Sequence, residues 1–218
     1  MLTESQLILQ RSLALEYTES LSEQALNYLD GRGISEKTAA NKWLGTVANN
    51  NPGHENYQGW LSIPYIVATG GVVGFKFRRI DEGLPKYGAP LGQKSHLYNV
   101  TDINKQSSVI AICEGELDAI ILSEVCDIPA VGCPGVSSWK KHYGKLFQGF
   151  EKVLIVGDND NKEDGSNPGQ DFARRVAQEI TQSQVILLPE GMDINSYYLA
   201  EGVDAVRERL GIQWKKSA

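Results

Sequence analysis

An α/β chain is predicted: helices and an antiparallel meander come first, and a mainly parallel sheet of four strands follows. Three observations predict it. Capped helical runs extend from the start to Gly45. Short strand-like pieces separated by Gly-containing turns occupy the stretch from Trp60 to Val100. From Val109 onward, four apolar runs alternate with helical stretches.

The elements follow in order. Leu7, Leu9, Leu13 and Tyr17 set an apolar pattern in a polar run and predict a first helix. In "SEQALNYLDGRG", Ser22 is the N-cap and Gly31 or Gly33 the stop signal, and "SEKTAANKWLG" repeats that logic from Ser35. A loop rich in Asn, Pro and Gly, "NNNPGHENYQG", comes next. After it, "WLSIPYIVA", "GVVGFKFRRI" and "SHLYNV" read as strands of a meander. The runs "VIAIC", "PAVGC", "KVLIV" and "QVILLP" then alternate with "ELDAIILSEV", "SSWKKHYGKLFQG", "GQDFARRVAQEI" and "INSYYLAEG". Apolar strands alternating with helices imply right-handed βαβ units and a sheet covered on both faces. With the division near 104–108, residues 1–105 form a helical and basic-strand subdomain, 106–212 a doubly wound domain, and 213–218 a tail.

Composition narrows the function. With 218 residues, 41% hydrophobic, the chain has room for a real core. A formal net charge of −6 argues against coating nucleic acid or membrane by bulk charge, though not against a local basic patch. The apolar runs are too short to span a bilayer, and "MLTESQLILQ" lacks the features of a signal peptide, so no membrane association is expected. Cys113, Cys126 and Cys133 contain no C-x-x-C and read as core thiols of a reducing compartment.

In open parallel sheets the functional crevice lies beyond the carboxyl ends of the strands. Glu114 ends the first strand of the second half, with Glu116 and Asp118 in the next helical turn. Asp158 and Asp160 end the third, and Asp193 follows the fourth. Acids at helix starts are common caps, and D-x-D alone is a frequent surface loop. Their shared topological position is what singles them out. Helix dipoles offset only about 0.3–1 kcal/mol of repulsion per carboxylate. A divalent cation neutralises such a crowd, and hard oxygen donors without His/Cys spacing favour Mg²⁺ or Mn²⁺ over zinc.

A basic segment precedes these acids. From Val72 to Lys105 stand Lys76, Arg78, Arg79, Lys86, Lys94 and Lys105 against Asp81, Glu82 and Asp102. Lys76 and Arg78 alternate with Phe75 and Phe77, which places both cations on one face of a strand, suited to phosphate oxygens. Taken alone, the pattern is better explained as a solvated strand face, and the acidic crevice and the match to a family pattern favour the phosphate-binding reading. In "SSWKKHYGK", Lys140, Lys141 and Lys145 read as a solvated helix face. His54, His96 and His142 have no metal-like spacing, and Trp43, Trp60, Trp139 and Trp214 read as packing anchors.

Together, "ICEGELDAIILSE", "VGDND" and "EGMDINSYYL" resemble the acidic signature of the Rossmann-like Toprim domain. Upstream, "FKFRRIDEGLPKYGAP…HLYNV" is similar to the basic segment of DnaG-type primases and of phage primase-helicases, and "ALNYLDGRGISEKTAANKWLG" resembles their helical entry. The resemblance covers roughly residues 22–210. It implies a DNA primase catalytic core that makes short RNA primers on a single-stranded DNA template from ribonucleoside triphosphates. It implies catalytic Glu114, Asp158 and Asp160, with Asp193 and Asp118 supporting two or more Mg²⁺ or Mn²⁺ ions and no zinc. Glu116 matches a position that varies in the family. Lys76, Arg78, Arg79, Lys86 and Lys94 are the implied nucleotide- and DNA-binding residues, Lys86 and Arg78 foremost. The setting implied is the cytoplasm of a bacterial or phage-infected cell.

Two departures stand out. The matching Gly169 comes only after an extra polar loop, Asn159 to Asn167, and the chain shows neither a cysteine-rich zinc module nor a P-loop. Start-site choice is then expected from another chain such as a separate helicase or template-recognition protein, from the N-terminal helices, or not at all. A Toprim nuclease would use the same acids to cut phosphodiesters, and a recombination-mediator type of Toprim module would bind nucleic acid without catalysis. The P-K-Y strand is the feature that separates the primase from both.

Overall fold

The computed structural model describes residues 2–135, 137–159 and 165–212. The chain forms two compact units, Met1–Ser95 and His96–Ala218.

In the first unit, α1 (Glu4–Glu19), α2 (Glu23–Asp30) and α3 (Glu36–Asn41) precede an antiparallel sheet ordered β1 (Gly45–Thr46), β2 (Leu61–Ile66), β3 (Val72–Arg78), β4 (Tyr87–Gly88). Thr3, Ser22 and Ser35 cap the helices by accepting the amides of Gln6, Ala25 and Thr38. On α1, Leu13, Ala14 and Tyr17 are buried, whereas Leu9 is 56% exposed and outside the core. A Cβ on Gly45 would overlap the Tyr17 backbone, so this glycine lets β1 run against α1. Phe75 and Phe77 stack at 5.8 Å on the buried face of β3, and Tyr57 stacks on Phe77 at 4.4 Å.

His54 is buried beside these rings. Asn51 Nδ2 donates to the Tyr17 hydroxyl at 3.1 Å, and that hydroxyl shares a hydrogen bond of 2.7 Å with His54 Nδ1. Burial lowers its pKa, outweighing the opposite pull of Glu55. The unfolded chain takes up this proton near pH 6.5, whereas the native state resists it. His54 therefore stabilises the fold fully above about pH 6.5, and that contribution is lost as pH falls below it. The urea midpoint should drop between pH 7.5 and 5.5, and the drop should be shallower in His54→Gln; equal slopes would contradict the assignment.

The second unit holds the four parallel strands, in the order β6 (Ala130–Gly132), β5 (Val109–Cys113), β7 (Lys152–Gly157), β8 (Ser183–Leu187). Ile110, Ile112, Val153 and Ile155 pack with Phe172, Ala173 and Val176 of α5 (Pro168–Ala177). Ala111, Leu154 and Val156 alternate with them and are buried on the other face. Helix α4 (Glu116–Ile120) contacts β5 and β6, runs into a π turn at Ile121–Val125, and meets α6 (Ile194–Arg209). Helix α6 breaks at Gly202, whose φ is +83°. Among the described residues, no helix is long and apolar enough to cross a membrane.

Two local expectations change. "SHLYNV" is not a meander strand: Tyr98 pairs antiparallel with Gly132 of the second unit, and Val100–Asn104 coils into a 3₁₀ turn. The cause is a buried polar knot. Asp102 accepts from Ser123 Oγ at 2.6 Å, the Ala130 amide at 3.1 Å and Lys105 Nζ at 3.0 Å. Likewise "SSWKKHYGKLFQG" forms only a 3₁₀ segment, Lys141–Phe147. Gly144 lowers helix propensity there and sits close to the Glu179 carbonyl, while Trp139 Nε1 donates to Glu179 Oε2 at 2.9 Å. Asp102→Ala leaves the buried Ala130 amide without its acceptor, and takes from the Ser123 hydroxyl the shorter of its two hydrogen bonds and from Lys105 its carboxylate, so it should cost about 3 kcal/mol in urea unfolding. A loss under about 1 kcal/mol would show the knot to be incidental.

Candidate active site

Three acids stand beyond carboxyl ends of strands. Glu114 follows β5, Asp158 follows β7, and Asp193 follows β8 through the turn 188–192. Strands β5 and β7 are hydrogen-bonded neighbours, so Glu114 and Asp158 emerge side by side. The Asp158 amide donates to Glu114 Oε1 at 2.9 Å and orients that carboxylate.

Glycines make this approach possible. A Cβ on Gly157 would overlap the Gly169 carbonyl. A Cβ on Gly169 would overlap the Asp158 carbonyl oxygen and Glu114 Oε1. The first turn of α5 thus lies directly against both acids, where no side chain fits. Sequence reasoning passed over Gly157, although a glycine at the end of an apolar strand signals close backbone approach.

The other acids make different contacts. Asp118, buried in α4, accepts the Asn195 amide on Oδ1 at 3.2 Å and so ties α4 to the first turn of α6. Asp193 is the N-cap of α6, and its Oδ1 accepts from Ser196 N at 2.7 Å and Ser196 Oγ at 2.6 Å. Glu116 is buried at 2% exposure. Burial pushes the Cys113 thiol well up, and the charges of Asp118, Asp158 and Glu116 push it further. Negative potential is therefore concentrated at the end of β5. Asp160 and the greater part of the loop between Asn159 and Asn167 lie outside the described residues, as does Trp214.

Among the described residues, no group of three His, Cys, Asp or Glu side chains is placed to hold one ion. The Glu114–Asp158 pair still fits a hard divalent cation. Mg²⁺ uses one or two carboxylates and completes its shell with water and substrate phosphates. A structural zinc site would need four ligands, usually with sulfur or imidazole.

The basic residues divide into two kinds. Arg78 and Tyr87 face each other across β3 and β4. The Arg78 guanidinium lies 4.4 Å from the Tyr87 ring centroid and 5.8 Å from that of Tyr28, and Lys76 Nζ lies 4.5 Å from Tyr87. Arg78 Nε and the Tyr28 hydroxyl are buried without a hydrogen-bond partner, so ring stacking rather than a carboxylate holds this guanidinium among the described residues. Arg79 instead stacks 4.4 Å over Trp60 and pairs with Asp81 at 3.3 Å. Lys86 and Lys94 are exposed on either side of β4. No sequence spacing links Tyr28 of α2 to this group.

Residues 109–204 match the family described as Toprim domain. The chain is 40% identical over 158 residues to the gene 57 protein of Mycobacterium phage D29, covering 71% of this chain and 99% of that protein. It is 25% identical over 231 residues to the DNA primase of Pseudomonas aeruginosa, covering 85% of this chain and 34%, about a third, of that longer protein. A solved DnaG primase catalytic domain bound to single-stranded DNA shares the fold, with a TM-score of 0.74 and 22% identity over 94% of this chain and 79% of that one.

Proposed function

The chain belongs to the DnaG-type Toprim primase family, and from that membership we propose that it joins ribonucleotides on single-stranded DNA into short RNA primers for replication. The observation that carries this reading is the Glu114–Asp158 pair at the ends of adjacent parallel strands, backed by side-chain-free Gly169.

Toprim primase domains depend generally on divalent metal. Here Glu114, Asp158 and Asp160, with Asp118 and Asp193 in support, would hold two or more Mg²⁺ or Mn²⁺ ions and no zinc. Such ions, when bound, activate an attacking 3′-hydroxyl and stabilise a leaving pyrophosphate. The chain's own groups orient the reactants. The Asp158 amide fixes one oxygen of the Glu114 carboxylate and so sets its orientation. Arg78 and Lys76 present positive charge to the phosphate oxygens of template or triphosphates, with exposed Lys86 and Lys94 adding to it. Arg79, engaged by Asp81 and Trp60, contributes less. A separate helicase or template-recognition protein selects the start site, in the cytoplasm of a bacterial or phage-infected cell.

The test is incubation with single-stranded DNA, labelled ribonucleotides and Mg²⁺ or Mn²⁺. Metal-dependent RNA oligomers support the reading. Strand cleavage without synthesis would assign a Toprim nuclease, and binding without either reaction, even when a pre-annealed RNA primer is supplied, would assign a non-catalytic module.

Arg78→Ala should weaken single-stranded DNA binding and lower the slope of log affinity against log salt by about 0.7, one phosphate contact. Fluorescence anisotropy across a salt series checks this. An unchanged slope would remove Arg78 from the interface.

A further inference from the structure

The middle residue of the D-N-D segment is held more firmly than its neighbours in sequence suggest. Asn159 makes five hydrogen bonds to two separate places. Its amide donates to the Met192 carbonyl at 3.0 Å, and its carbonyl accepts from the Gly191 amide at 2.8 Å. Its side-chain Nδ2 donates to the Leu188 carbonyl at 2.8 Å. Its Oδ1 accepts from Asn167 Nδ2 at 2.8 Å and from Gln170 Nε2 at 2.6 Å. Asn167 is itself the N-cap of α5, accepting the Gln170 amide at 3.0 Å.

Each partner belongs to a part of the site. The turn 188–192 delivers Asp193, and the first turn of α5 carries Gly169 against Asp158 and Glu114. The side chain uses both ends of its amide: the donor clasps one element and the acceptor the other. No other residue type of that length offers both at once.

We propose that Asn159 is a positioning residue, which fixes the Asp158 carboxylate relative to the turn bearing Asp193 and to the start of α5, so that the acids are set for a divalent cation. The proposal rests on the reading of these acids as a cation site. Groups that orient ligands through hydrogen bonds tune metal affinity by about 10–100-fold without touching the ion. Asn159 acts in this way through backbone and amide contacts and donates no charge.

The experiment is direct Mn²⁺ titration of the full chain, with free Mn²⁺ followed by electron paramagnetic resonance. Wild type, Asn159→Ala and Val176→Ala are compared, each with its thermal melt. Val176 lies buried in α5 and has no place in the site, so its variant reports what general loss of stability does. Asn159→Ala should weaken Mn²⁺ binding about tenfold or more, and Val176→Ala should leave it within twofold. Unchanged affinity in Asn159→Ala overturns the proposal alone, as does an equal loss in Val176→Ala. Failure of the wild type to bind Mn²⁺ overturns both this proposal and the cation-site reading.

Discussion

Asp158→Asn should abolish primer synthesis while leaving the fold intact. The substitution keeps the shape of the side chain and removes only its charge. The backbone amide of residue 158 still donates to Glu114, so the end of β7 stays in place. Asp158 is one of three carboxylates that raise the Cys113 thiol, and removing it relieves like-charge crowding at the end of β5. Melting temperature should therefore hold or rise. The catalytic loss should be about 4 kcal/mol in the barrier, roughly a thousandfold in rate, if this carboxylate carries a share of the metal's charge stabilisation. Single-turnover synthesis beside a thermal melt checks both halves. Activity within tenfold of wild type would remove Asp158 from the chemistry.

Gly169→Ala tests packing rather than charge. The added methyl group would overlap the Asp158 carbonyl and the Glu114 carboxylate. Two of its obstacles are backbone, which cannot swing aside as a flexible side chain can. Either the first turn of α5 retreats from the acids or Glu114 leaves the Asp158 amide. A misplacement of about 1 Å costs about 100-fold in rate. Overpacking of this kind costs about 1–3 kcal/mol in stability. The informative comparison is with Gly149→Ala, a position where a Cβ meets nothing within 4 Å. Gly149→Ala should behave as wild type, and equal activity of the two variants would show that the tight approach at Gly169 has no functional weight.

The second unit was legible where the sequence is most regular. "VIAIC" and "KVLIV" are continuous apolar runs closed by an acid, and burial on both faces of a parallel sheet produces that pattern. Glu114 and Asp158 were therefore placed on the same edge of the sheet from the sequence, and the pairing of β5 with β7 brings them side by side. The basic strand was legible from alternation, since Phe75 and Phe77 must be buried together if Lys76 and Arg78 are not. Features made by distant partners were not legible. Tyr98 belongs to the second unit because it pairs with Gly132 and because Asp102 behind it is held by Ser123 and Ala130. Asn159 looks like one more polar loop residue, and its partners lie between 8 and 33 positions away. The stacking of Arg78 on Tyr28 joins a strand to a helix by tertiary contact alone. One local signal went unused: Asn167 before Pro168 marks an N-cap with proline at the first helical position, and it fixes the start of α5.

Extension of an RNA primer already annealed to a longer DNA template tests the central claim most directly, because it needs no start-site partner. With Mg²⁺ or Mn²⁺ and all four ribonucleotides, the chain should lengthen the primer, and omission of one nucleotide should stop growth where the template calls for it. A primer that is never extended, or a template that is cut instead, would contradict the account.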